Sequence, residues 1–160
     1  MNETTPSRPS QHGVALGVLL GLVLAVLIFG GLFSPDGAEW YRTLRRPAFQ
    51  PPSWAFGVVW PILYVLMAVA AWRVWRRRGW CLAIAFWGVQ LALNAAWSPV
   101  FFGAHSLVGD MVVIAALLAV LAATVLAFWR IDRLAGALLL PYLAWVAYAS
   151  TLNAALLWLN

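Results

Sequence analysis

Apolar residues fall in five long runs separated by short polar breaks. The runs cover about residues 13–33, 53–75, 80–102, 107–129 and 134–159. A helix that crosses a bilayer needs roughly 20 apolar residues in succession, and each run meets that length. A transmembrane barrel would instead show alternating segments of roughly ten residues, and none occurs. Backbone groups in lipid must pair within their own segment, so the runs predict helices. The expected architecture is an all-α membrane protein: one bundle of five transmembrane helices over residues 13–160.

The breaks predict how the helices are joined. Those at 76–79, 103–106 and 130–133 are short and make successive helices antiparallel neighbours. The break at 34–52 is long enough for a lid or binding loop. Within it, Asp36-Gly37-Ala38-Glu39 reads as a capping box, and Pro47 would stop a short helix over 39–46. Pro51 and Pro52 stiffen the entry to the second span. Residues 1–12 are polar and read as a frayed tail. The run after them is too long for a signal-peptide core.

Composition removes the main alternatives. Hydrophobic residues make up 64% and charged residues 9%. A soluble domain carries roughly 45–50% apolar and about 25% charged residues, so a free cytosolic domain is excluded. A soluble disordered chain is excluded by the same hydrophobicity. The net charge of +5 comes from ten arginines and no lysine. Arg8, Arg76, Arg77, Arg78, Arg130 and Arg133 fall on one side of the five spans, and Arg42, Arg45 and Arg46 on the other. This asymmetry predicts the N-terminus on the cytoplasmic-equivalent side. Short arginine runs between apolar stretches are topology signals, so no nucleic-acid partner is expected. The single Cys81 cannot form an intrachain disulfide.

Helical spacing sorts the remaining chemistry onto faces. In the third span Trp87, Gln90, Asn94, Trp97 and Phe101 step by three or four, and Ser98 joins them. Amide groups facing lipid are costly, so this face should point into the bundle. Gly88, Ala92 and Ala96 lie opposite and form a small-residue stripe suited to a homodimer seam. Gly13, Gly17, Gly21 and Ala25 allow a similar approach on the first span. Trp60, Tyr64 and Met67 share a face of the second span. Trp145, Ala149, Leu152 and Leu156 share one on the fifth, with Asn153 alongside. Taken singly, an aromatic residue is most often packing or an interfacial anchor. Taken together, and with eleven tryptophans in the chain, they suggest a pocket for a flat aromatic ligand. No metal-ligand spacing and no nucleophile–base pair appears.

Three motifs carry a family resemblance. One is Trp40-Tyr41 with Arg46-Pro47, Pro51-Pro52, Trp54, Phe56 and Trp60. The second runs from Asn94 through Trp97, Pro99, Phe101 and Phe102 to Gly103. The third is Pro141-Tyr142 with Trp145, then Leu152-Asn153. Together, across about residues 13–159, they resemble the TspO/MBR family of tryptophan-rich sensory and translocator proteins. The resemblance implies a five-helix bundle, usually homodimeric, with a pocket under the first loop. It implies a porphyrin ligand, protoporphyrin IX or haem, with no covalently bound cofactor. The matching pocket positions are Trp60, Tyr64, Asn94, Trp97, Trp145, Ala149 and Leu152. Arg42, Arg45 and Arg46 of the loop are candidates for pairing with propionates. Some family members degrade protoporphyrin IX in light, and Trp60 and Trp145 match the two tryptophans involved. The expected function is therefore a porphyrin-binding sensor or transporter-like protein of a bacterial cell membrane. The alternatives are a light-dependent porphyrin-degrading enzyme and a lipid-organising structural protein. The sequence departs from the family pattern at Phe49, often Trp. It also lacks the Tyr and basic residue of the mammalian sterol motif in 152–158.

Overall fold

The computed structural model describes residues 11–160, with side chains except at 11 and 34–36. The chain forms α1 (Gln11–Thr43), α2 (Ser53–Arg78), α3 (Leu82–Ser98), a π-helical turn (Pro99–Gly103), α4 (Leu107–Ile131) and α5 (Arg133–Leu159). Five segments are long and apolar enough to cross a membrane, and no strand occurs among the described residues. Exposed Val14, Val18, Ile62, Val65, Val112 and Leu126 cover outer faces of the bundle. Such surface is stable in lipid and would aggregate in water. The expected polar tail, with Arg8, falls mostly at residues 1–10, outside the described residues.

The core is built where α2, α4 and α5 meet. Met67, Ala68, Ala70, Ala71 and Val74 of α2 are fully enclosed, as are Leu121 and Phe128 of α4 and Leu139 and Tyr142 of α5. Alanines let α2 approach closely, and the larger side chains of α4 and α5 fill the space. α1 is the least enclosed span.

Three expectations about boundaries change. The first helix does not stop near residue 33. It continues through 34–36 to Thr43, so the expected loop of 34–52 shrinks to 44–52 and the separate helix over 39–46 disappears. Pro35 removes one backbone donor, which a helix supported by its neighbours tolerates. The support is aromatic: Trp40 and Tyr41 on the extension pack against Phe101, at ring separations of 5.3 and 5.8 Å. The proposed capping role of Asp36 rests on a side chain outside the described residues.

The third span is not one regular helix over 80–102. Pro99 has no N–H to continue the α ladder, and the chain widens into a π turn closed by the Ala104 amide on the Pro99 carbonyl at 2.9 Å. Lastly, the connectors at 76–79 and 130–133 are mostly helical. Arg76, Arg77 and Arg78 form the last turn of α2, ended by Gly79 at φ 62°, a conformation that glycine adopts without strain.

Asp132 alone separates α4 from α5. Its Oδ1 accepts from the Leu134 and Ala135 amides, capping α5. Its Oδ2 accepts from Arg73 Nε at 2.8 Å and lies 3.3 Å from Arg77 Nη2, tying this corner to α2. Burial pushes the carboxyl pKa up. The Arg73 hydrogen bond, the two amides and the Arg73 charge outweigh it and hold it below its ordinary value.

A carboxyl depressed in the fold contributes stability that is present above its unfolded pKa and lost as pH falls through the folded one. Asp132→Ala should therefore destabilise the bundle by about 3 kcal/mol at neutral pH, because it strands Arg73 and uncaps α5. Thermal unfolding in detergent reads this. The parent should lose only part of this contribution, and only below about pH 4.

Candidate ligand-binding site

A cavity of about 660 Å³ opens among the helices at the end of the bundle that carries the loop 44–52. That volume lies within the roughly 300–1,000 Å³ typical of small-molecule sites. Trp60, Pro61 and Tyr64 come from α2, Asn94, Trp97 and Ser98 from α3, and Ile114 and Leu117 from α4. α5 contributes Trp145, Ala149, Leu152 and Asn153, and α1 contributes Gly30, Gly31, Tyr41 and Arg42. All seven positions matched from the resemblance, Trp60, Tyr64, Asn94, Trp97, Trp145, Ala149 and Leu152, therefore line one cavity. Of the three arginines, Arg42 and Arg46 line it and Arg45 does not. Arg45 lies where its backbone is held by Asn160, whose Oδ1 accepts from the Arg45 amide and whose Nδ2 donates to the Arg45 carbonyl. Arg42 belongs to the last turn of α1 rather than to a loop.

The aromatic walls are ordered by mutual contact. The Trp60 ring lies 5.6 Å from Tyr64 and 6.3 Å from Tyr142. Phe56 meets the Trp145 ring edge-on at 5.7 Å. Trp97 stacks on Phe101 at 5.2 Å. Such pairs prefer offset or edge-to-face geometry, so each ring restricts the tilt of the next.

A chain of hydrogen bonds backs this wall. Tyr64 donates to Asn94 Oδ1 in a short bond. Asn94 Nδ2 donates to the Tyr142 oxygen at 2.9 Å, and Tyr142 donates to Gln90 Oε1 at 3.0 Å. Asn94, expected among the pocket positions, already has a tyrosine partner at each end. Unpaired polarity lies elsewhere: the indole N–H groups of Trp97 and Trp145 and the Asn153 amide N–H₂ are buried without a partner, on residues whose other atoms line the cavity. Gln50 Oε1 adds one unpaired acceptor. Buried donors left unpaired cost on the order of 1–3 kcal/mol each.

Spacing alone did not single out Tyr142 and Gln90 as supports of the site, although Gln90 lies on the polar face of α3 and Tyr142 three residues before Trp145. Tyr41 was legible only as part of a motif. Burial raises its phenol pKa, with Arg46 opposing and Tyr148 adding to the rise, so it stays a neutral donor at physiological pH. Asp110 sits in the first turn of α4 and is fully buried with neither carboxylate oxygen paired. It lies one turn before Ile114 on the inward face and does not line the cavity. Gly88 and Ala92 are exposed on the outer side of α3, Ala96 is half-buried, and a Cβ at Gly88 would meet nothing within 4 Å.

The roof is made by the α1 extension, the π turn and the loop. Tyr148 of α5 donates to the Phe49 carbonyl at 2.7 Å, a second clip on the loop beside Asn160. Gly37 is buried where α1 crosses the π turn, and a Cβ there would overlap the Phe102 ring.

Fold and cavity define a multi-pass membrane protein with an internal, aromatic-walled cavity. The chain belongs to the TspO/MBR family, whose pattern matches residues 18–159. It is 40% identical over 152 residues to the tryptophan-rich protein TspO of Chlorobaculum tepidum, covering 92% of this chain and 96% of that one. It is 43% identical over 128 residues to protein CrtK of Rhodobacter capsulatus, covering 78% and 79%. The human translocator protein is 35% identical over 144 residues, covering 87% and 85%.

Gly37→Ala should push the α1 extension off the π turn and cost about 1–3 kcal/mol through overpacking. Proteolysis between residues 37 and 52 should become faster, while the core around Met67 and Phe128 stays folded by circular dichroism. Unchanged proteolysis would remove the close contact at Phe102.

Proposed function

We propose that the protein binds a porphyrin in the cavity under the loop 44–52, as a sensor or carrier in a bacterial cell membrane with its N-terminus on the cytoplasmic side. One observation carries the reading: Trp60, Trp97 and Trp145 line a single cavity that Arg42 and Arg46 also line. A porphyrin is a flat, largely apolar ring with carboxylates at its edge. The ring suits the aromatic walls. The carboxylates suit the guanidinium groups of Arg42 and Arg46, which pair with carboxylates in planar, bidentate fashion. Trp60, Tyr64, Trp97, Trp145, Ala149 and Leu152 are the contact residues, with Asn94 holding Tyr64 in place. Arg45 is left out of this set because it does not line the cavity.

The presence of both Trp60 and Trp145 on one cavity also favours a second reading, light-driven oxidation of the bound porphyrin. Titration in the dark and then in light separates the two. Trp60→Phe and Trp145→Phe keep an apolar ring, so porphyrin affinity measured by Trp quenching should fall by only about 1 kcal/mol. A pure binding protein leaves porphyrin absorption unchanged in light. An enzyme bleaches it, and both variants lose the bleaching while still binding. Parent-like affinity together with parent-like bleaching in both variants would exclude the cavity as the site.

The protein is proposed to act as a homodimer across Gly88, Ala92 and Ala96. The open space beside Gly88 and the exposure of Ala92 support this seam, since close helix approach in lipid needs small side chains. Ala92→Leu should give monomer in detergent by light scattering, with porphyrin affinity retained. A persistent dimer would exclude the seam.

A further inference from the structure

The other end of the bundle carries a second, unrelated cradle. Where α1 begins, α2 ends and α4 passes into α5, a concavity of about 190 Å³ is lined by His12, Arg73, Arg76, Arg77 and Asp132. Three guanidinium groups face one carboxylate there. That carboxylate is fully engaged: Oδ1 caps α5 and Oδ2 takes Arg73 and Arg77. Arg77 also donates to the Ile131 carbonyl. Arg76 has no acidic partner among the described residues. Its guanidinium lies over the Trp72 ring, 4.6 Å from the centroid.

The cradle is tied together rather than loosely assembled. Trp72 Nε1 donates to the His12 carbonyl at 2.7 Å, joining the start of α1 to the last turns of α2. Asp132 joins the same turns to the α4–α5 corner. Arg76 is therefore held by stacking, with its N–H edge left for an anion. The position is the water-facing end of the spans, the level of lipid headgroups. Arg78, Arg130 and Arg133 are exposed at the same helix ends and add positive charge there. Immediately below, α1 turns exposed Val14 and Val18 outward.

We propose that this cradle binds the phosphate headgroup of an anionic phospholipid, with Arg76 and Arg77 as its direct ligands and Arg73 and Asp132 as the frame. Phosphate suits guanidinium forks, which present paired N–H donors to two oxygens. Basic pockets between transmembrane helices are a general device for recognising acidic lipid headgroups. The acyl chains would lie along the apolar outer face that includes Val14 and Val18.

The test counts lipids retained on the detergent-solubilised full chain by native mass spectrometry, titrating phosphatidylglycerol against phosphatidylcholine. The parent should retain phosphatidylglycerol preferentially. Arg76→Gln should weaken its binding roughly fivefold, and Arg133→Gln, which removes the same charge outside the cradle, less than about twofold. Arg76→Lys keeps the charge and should fall between Arg76→Gln and the parent. Equal losses in Arg76→Gln and Arg133→Gln would overturn the site in favour of a diffuse field. Equal retention of the two lipids by the parent would also overturn it. Displacement of phosphatidylglycerol by millimolar inorganic phosphate would mean that free phosphate, rather than the lipid, is the ligand. Thermal unfolding of each variant checks that the fold is intact. If Arg76→Gln alone is unstable, Arg76→Lys against the parent carries the comparison.

Discussion

The hydrogen-bond chain Tyr64–Asn94–Tyr142–Gln90 sets the geometry on which the rest of the bundle depends. It links α2, α3 and α5 through groups that are almost entirely buried. In an apolar interior an amide without a partner is costly, so each of these side chains must meet the next. That requirement fixes how the three helices are rotated about their axes. Rotating α3 by one residue would carry Asn94 and Gln90 away from both tyrosines and bring them toward lipid. With the rotation fixed, Trp60, Trp97 and Trp145 face one space, and the small outer face of α3 looks away from it.

The chain also divides the bundle into a solid half and a hollow half. On the side of Met67, Val74, Leu121 and Phe128, alanines and large side chains interlock and leave little space. Toward the loop, the same helices diverge around the cavity. The opening is possible because an aromatic roof bridges it: Trp40 and Tyr41 of α1 lean on Phe101 of the π turn, and Trp97 stacks beneath. The π turn follows from Pro99, and its wider bore turns Phe101 and Phe102 toward α1. The loop 44–52 then has little to span and is clipped to α5 at Arg45 and Phe49.

Charge is confined to the two ends and differs in kind between them. At the cavity end Arg42 and Arg46 line the space beneath the loop, with no carboxylate ion-paired to them among the described residues. At the other end one buried carboxylate organises two arginines and caps a helix, so part of the charge there is structural. The arginine count per side, which speaks to topology, therefore mixes residues that hold the fold with residues available to lipid or ligand.

The sequence by itself determined the number of spans, their helical character and the polar inner face of α3. Each follows from local chemistry: the length of an apolar run, the need to pair backbone groups in lipid, and the 3.6-residue repeat. The family resemblance carried by three motifs also grouped Trp60, Tyr64, Asn94, Trp97, Trp145, Ala149 and Leu152. The sequence did not reveal that α1 continues to Thr43, because Ser34-Pro35-Asp36-Gly37 is locally a strong stop signal and the gain that overrides it comes from Phe101 and Phe102, some 60 residues away. Nor did it reveal that Asn94 is occupied by two tyrosines, that Arg45 lies apart from the cavity, or that Asp132 binds α2. Those outcomes depend on distances between helices. Tertiary packing alone sets such distances, since no residue's spacing along the chain records which partner on another helix it will meet.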